Sequence, residues 1–232
     1  MNSVVDSFGI IVVVAQLTAT GTLTGRAQFD GAGPARPVLS TSADAACVRL
    51  VGPTVRAEDV LVDGRGGLQN VFVYIKSGID PSDAFEIPAT PVTLDQVVCQ
   101  FSPHVLGVRA GQPLEINNRD PLLHNVHGRS VANQPFNIGQ PIQGMHYTRT
   151  FDTPEVMVPL TSDIHPWMSA YVGVLTHPFF AVTAADGSFT IRGVPQGTYV
   201  VEAWHERLGA IALDVALGAG QTTSLAFHFE SR

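Results

Sequence analysis

Positive charge is scarce in this chain: 13 Lys+Arg stand against 20 Asp+Glu, a formal net charge of −7 with the eight His neutral. No nucleic-acid partner is expected, because phosphate binding needs clustered Lys and Arg. The apolar stretch Gly9-Ile-Ile-Val-Val-Val-Ala15 falls far short of the roughly 20 residues that cross a bilayer, and no later segment is a candidate, so no membrane span is expected. Helical spacing is missing from every window of about 12 residues, which excludes a helical bundle. Cysteine is limited to Cys47 and Cys99, and neither lies in a C-x-x-C, so a structural zinc site and a thioredoxin-like motif have no support. Glycosidase-type carboxylate pairs, a G-x-S-x-G elbow, a P-loop and a G-x-G-x-x-G are absent as well, and the chain reads as non-enzymatic.

Apolar residues make up 45% and charged residues 14%, which supplies a core and argues against disorder. With 22 Gly and 16 Pro and no collagen period, many short elements joined by tight turns are expected. Period-two alternation recurs in Thr22–Phe29, Asn70–Ile75, Pro113–Asn117, Ser188–Arg192, Thr198–Trp204 and Thr222–Phe229. Turn chemistry bounds these runs at Asp30-Gly31, Asp63-Gly64, Asp186-Gly187 and Pro195-Gln-Gly197. The fold class is therefore all-β, built as sandwiches. An even cysteine pair in such a protein suggests a disulfide closing a loop of about 50 residues, contributing about 3–4 kcal/mol; two buried thiols in a reducing compartment are the alternative. Residues 1–17 read as a signal-like or disordered segment, with Val13-Val-Ala15 as a cleavage site, or as a plain N-terminal strand. Against the signal stand Asp6 and the lack of any Lys or Arg before Arg26.

Two textures divide the chain. Residues 88–175 are rich in His, Asn, Pro and Met, and the segments on either side are plainer strands with D-G turns. Thr20–Gly31, Leu68–Ile75 and above all Ala185-Asp-Gly-Ser-Phe-Thr-Ile-Arg-Gly-Val-Pro-Gln-Gly-Thr-Tyr-Val-Val-Glu-Ala-Trp204 resemble the transthyretin-like, carboxypeptidase-regulatory type of sandwich. That resemblance implies a discontinuous domain, 18–87 plus 176–232, into which 88–175 is inserted or against which it is packed.

The middle segment holds Ile116-Asn-Asn-Arg-Asp-Pro-Leu-Leu-His124-Asn-Val-His127 and Ser162-Asp-Ile-His165-Pro-Trp-Met168-Ser-Ala-Tyr-Val-Gly173. A strand leading to H-N-V, followed later by an H-P-W-M loop and a Y-V-G-V strand, resembles the cupredoxins of plastocyanin, amicyanin and methylamine-utilisation-like type. The resemblance implies a Greek-key sandwich and a copper site. In that site one strand end gives an imidazole and a single loop gives a thiolate, a second imidazole and an axial thioether. His124 and His165 match the imidazoles and Met168 the thioether, while Ser162 stands at the thiolate position. A serine hydroxyl stays protonated near neutral pH and is a hard, weak donor, so the strong copper–sulfur bond is not available. The remaining set suits Cu(I) or weak Cu(II) binding. Neither Cys47 nor Cys99 has a spacing that would supply the missing sulfur. Asn125 is placed to bond between the two loops, and Trp167 to cover them.

The expected function is an exported copper-binding protein, an electron-transfer relative or a copper carrier, in the periplasm or outside the cell. Its partner would be a redox or copper-delivery protein. A cell-surface recognition module that has lost its metal, and a copper enzyme with an open site, are the competing readings. His104, His127, His146, His177 and His205 fit no compact ligand pattern, and His177 and His205 are expected near a domain seam.

Overall fold

The alternation is realised as 18 strands and one seven-residue helix in the computed structural model, which describes residues 19–231. The signal-like reading of residues 1–17 lies outside the described residues. In chain order the first elements are β1 (Thr20–Phe29), β2 (Val38–Ser40), α1 (Ala45–Val51), β3 (Thr54–Arg56) and β4 (Phe72–Ser77). The middle of the chain gives β5 (Val92–Val97), β6 (Gln100–Ser102), β7 (Val105–Arg109), β8 (Pro113–Asn118), β9 (His124–Gly128), β10 (Phe136–Gln140), β11 (His146–Thr150), β12 (Glu155–Thr161) and β13 (Ser169–Leu175). The remaining strands are β14 (Phe180–Val182), β15 (Ser188–Pro195), β16 (Gly197–His205), β17 (Gly209–Leu217) and β18 (Thr222–Phe229). The fold class is all-β.

Two sandwiches result. In the first, the sheet β15-β1-β18 faces the sheet β14-β4-β16-β17. Strand β1 runs antiparallel to β15 and parallel to β18, so both ends of the described chain close one core. Leu23, Ala27 and Phe29 alternate inward from β1 and pack with Val73, Ile75, Ile191, Val201, Val215 and Phe227. In the second, β10-β9-β12-β13-β7 faces β11-β8-β5-β6 around Leu94, Ile116, Val126, Phe151, Leu160 and Val172. Its pairs β7·β13 and β5·β8 are parallel, which requires the chain to cross between the two sheets.

The sandwiches meet on a slot made by two glycines. Gly107 of β7 and Gly173 of β13 stand opposite each other in register, and the rings of Phe72 and Phe180, 5.5 Å apart, lie against them. A Cβ at Gly107 would sit 2.2 Å from the Phe180 ring, and one at Gly173 would sit 2.4 Å from the Phe72 ring. Only glycine leaves room for this contact. A flap of residues 38–56, formed by β2, α1 and β3, lies over the second sandwich, where its Cys47 packs with Cys99, Leu122 and Trp167. Cys47 and Cys99 are joined by a disulfide with Cα atoms 5.9 Å apart.

Candidate metal centre

His124 opens β9, and His165 lies in the turn between β12 and β13. Both side chains are fully buried, and their Nδ1 atoms face each other at 3.0 Å. The opposite edge of each ring meets a carboxylate: His124 Nε2 lies 2.8 Å from Asp120 Oδ2, and His165 Nε2 lies 3.0 Å from Asp44 Oδ2. A carboxylate only accepts, so each ring donates Nε2–H and turns its Nδ1 lone pair toward the other ring. Two lone pairs at that distance repel unless a cation lies between them. The cation is a proton, or a metal ion about 2 Å from each nitrogen, for which a 3.0 Å separation is suitable. Burial is the main cause holding the His124 pKa below its ordinary value, with the neighbouring His165 acting in the same direction.

Each carboxylate is itself anchored beside a cysteine. Asp44 caps α1, its Oδ1 accepting from the backbone N–H of Ala46 at 2.6 Å and of Cys47 at 3.4 Å. Asp120 accepts from the backbone N–H of Val98 at 2.9 Å and of Cys99 at 2.8 Å. Val98 and Cys99 are the two residues of the β5–β6 turn and hold φ of 52° and 53°. That conformation suits Asn-Gly and strains a β-branched Val. Asp120 and the disulfide hold the turn in place. The two halves of the site thus repeat one pattern of cysteine, aspartate and imidazole, joined at one end by the disulfide and at the other by the Nδ1 pair.

Met168 is buried, and its N–H closes the loop onto His165 O at 2.8 Å. Ser162 is buried, and its hydroxyl donates to Asn125 Oδ1 at 2.8 Å and accepts from His165 N–H at 3.0 Å. Asn125 Oδ1 also takes the N–H groups of Asp163 and Ile164, so it pins the two histidine-bearing loops together. Trp167 Nε1 donates to Cys99 O at 3.0 Å, and its ring lies 5.0 Å from that of His165. Beside this loop, under the flap, opens a cavity of about 590 Å³ lined by Leu39, Phe101, His104, Trp167 and Met168.

Neither Asp44 nor Asp120 was singled out from the sequence. The D-x-x-x-H spacing before His124 was a usable signal for Asp120. Nothing local marked Asp44, which meets His165 across 121 residues. The cysteines, which by spacing alone do not supply the missing sulfur, are brought to the site by the fold, Cys47 Sγ lying 3.6 Å from His165 Nε2. Among the described residues, the groups of ligand atoms within 4.8 Å of one another are Asp44, Cys47 and His165, and Cys99, Asp120 and His124. The other histidines join neither group. His104 is bound to Glu206 and to Ser169 O, His127 to Asp163, and His177 to Ile75 O. His205 Nδ1 accepts from the N–H groups of Arg207 and Leu208.

No protein-family model matches the chain, and no curated protein does either. Among solved structures it is similar to the Cu-containing nitrite reductase of Thermus scotoductus SA-01, at 24% identity over 42% of this chain and 25% of that one, with a TM-score of 0.35. The chain thus spans about a quarter of the reductase. It is also similar to a purple cupredoxin of Nitrosopumilus maritimus, at 19% identity over 35% of this chain and 97% of that one, TM-score 0.31. A Cu(I) amicyanin variant is 19% identical over 44% of this chain and 97% of its own, TM-score 0.33.

Proposed function

We propose that this chain is an exported, cupredoxin-like copper-binding protein that carries copper rather than passing electrons at a blue centre, and that it is not an enzyme. One observation carries the reading: the Nδ1 atoms of His124 and His165 face each other at 3.0 Å while both Nε2 atoms are committed to carboxylates. Those two nitrogens and the thioether of Met168 would hold the ion, a soft-to-borderline set that suits Cu(I). Bound there, copper would supply a transferable soft cation with a one-electron couple. Asp120 and Asp44 fix the rings and raise their basicity, as carboxylates behind metal-bound imidazoles do. Asn125 keeps the loops at one separation, and the Ser162 hydroxyl, spent on Asn125, leaves the thiolate position without sulfur.

The Cys47–Cys99 disulfide supports an oxidising compartment, periplasmic or extracellular. The middle sandwich, 88–175, is read as the copper domain, and 18–87 with 176–232 as a transthyretin-like sandwich that carries it. A copper-delivery or redox protein is the expected partner. Copper titration of the oxidised protein tests the reading. The wild type is expected to hold one copper per chain without an intense visible band, to lose it in His124→Ala, and to gain a sulfur-to-copper charge-transfer band in Ser162→Cys. A wild type that retains no copper, with a folded Ser162→Cys protein that stays colourless in Cu(II), would refute it.

A further inference from the structure

The disulfide is the one sulfur-bearing group at this centre whose chemistry the copper reading leaves unused. Cys47 and Cys99 are both fully buried, and one of their sulfurs lies 3.6 Å from His165 Nε2. That is close to the spacing of a nitrogen and a sulfur bound to one tetrahedral ion at about 2.0 and 2.3 Å, which lie about 3.5 Å apart. Asp44 Oδ2, 3.0 Å from the same nitrogen, completes with Cys47 Sγ a group of three whose ligand atoms fall within 4.8 Å of one another, and Cys99 Sγ, grouped with Asp120 and His124, is brought beside it by its bond to Cys47. While the disulfide is intact its sulfurs are poor donors, and the group is closed to a metal.

We propose that reducing Cys47–Cys99 creates a second, sulfur-based site for a borderline divalent cation such as zinc, held by the Cys47 and Cys99 thiolates, His165 Nε2 and the Asp44 carboxylate. The inference goes beyond the copper reading and does not need it, because it uses the opposite edge of His165. Two equivalents of a small thiol reductant break the sulfur–sulfur bond by exchange, giving two protein thiols and one reductant disulfide. Cation binding then releases both thiol protons. The His165 Nε2 proton leaves with them, and the proton shared between the Nδ1 atoms of His165 and His124, 3.0 Å apart, stays in place. The thiol state would therefore decide which edge of His165 faces a cation.

The test uses the full chain, reduced with dithiothreitol that is then removed anaerobically, and Co(II) as the probe. Expected is one cobalt per reduced chain, with thiolate-to-cobalt charge-transfer absorption and the visible bands of a tetrahedral ion, and none of this in the oxidised protein. His165→Ala should weaken cobalt binding by about 100-fold or more, beyond the range seen when only outer-shell partners are removed. An unfolded chain would bind cobalt through its two thiols without regard to a histidine 118 residues from Cys47. Thiolate absorption whose affinity His165→Ala changes less than about threefold, or no thiolate absorption at all, would overturn the proposal. Copper binding by the oxidised protein is read separately, so either inference can fail while the other stands.

Discussion

Asp120 accepts from Val98 N–H, Cys99 N–H and His124 Nε2–H together, so one carboxylate sets both the strained turn and the orientation of a ring. In Asp120→Asn an amide oxygen at the Oδ1 place still accepts from Val98 N–H, but an NH₂ at the Oδ2 place accepts neither from Cys99 N–H nor from the imidazole. Copper affinity is expected to fall about 10–100-fold, measured by competition with a chromophoric Cu(I) chelator; unchanged affinity would show that ring orientation has another cause. His205 offers a second test at this scale. Its Nδ1 accepts from two backbone N–H groups, and burial, the largest cause, lowers its pKa to about 4. A pKa below the unfolded value of about 6.5 means that its contribution is fully present above pH 6.5 and lost as pH falls toward 4, on the order of 3 kcal/mol in all. Urea midpoints across that window should drop in the wild type and drop less in His205→Gln. Equal slopes would place the acid sensitivity elsewhere.

Among the elements, β13 was legible as a strand through the Tyr171-Val-Gly-Val174 motif and β7, the apolar run Val105-Leu-Gly-Val108, was not, and the purpose of their glycines was hidden in both. It became visible only once parallel pairing set Gly107 beside Gly173 and brought Phe72 and Phe180 from a distant part of the chain onto them. Adding a single methyl in Gly173→Ala should force the Phe72 ring aside and cost about 1–3 kcal/mol, read from chemical denaturation; a change below about 0.5 kcal/mol would show the slot to be slack. The flap was the least legible element. Its helix has only seven residues, its strands only three each, and its place is set by Asp44 and Cys47 meeting partners far along the chain. Asp44→Ala removes a helix cap worth about 1 kcal/mol and also the acceptor behind His165. It is expected to lower stability and copper affinity together, and a loss of stability alone would separate the cap from the site.

Across the whole molecule, the seam between the sandwiches carries a charge contact as well as the glycine slot. His104, beside β7, bonds to Glu206 in the β16–β17 turn, and the Tyr171 ring packs at a tilt against Trp204 nearby. Burial, the largest influence, works to lower the His104 pKa, but the hydrogen bond and charge of Glu206 outweigh it and leave the pKa raised. This contact therefore stabilises fully below the unfolded value of about 6.5 and fades as pH rises through the folded one. The stability difference between wild type and Glu206→Gln should shrink across that rise, and a difference independent of pH would contradict the assignment. The two loops of the candidate site were its most legible part, since His124 and Asn125, and Ser162, His165 and Met168, fall in two short motifs, though they meet across about 40 residues. The groups that fix those rings, Asp44, Cys47 and Cys99, come from other loops, and only the tertiary fold brings them in. Whether the Nδ1 edges of His124 and His165 form the cation site is read from ¹⁵N NMR of histidine-labelled oxidised protein, before and after one equivalent of diamagnetic Cu(I). Nδ1 of His124 and of His165 should shift together while both Nε2 atoms stay protonated and the other imidazoles hold still. Shifts at Nε2 instead, or no change at either ring, would contradict that site.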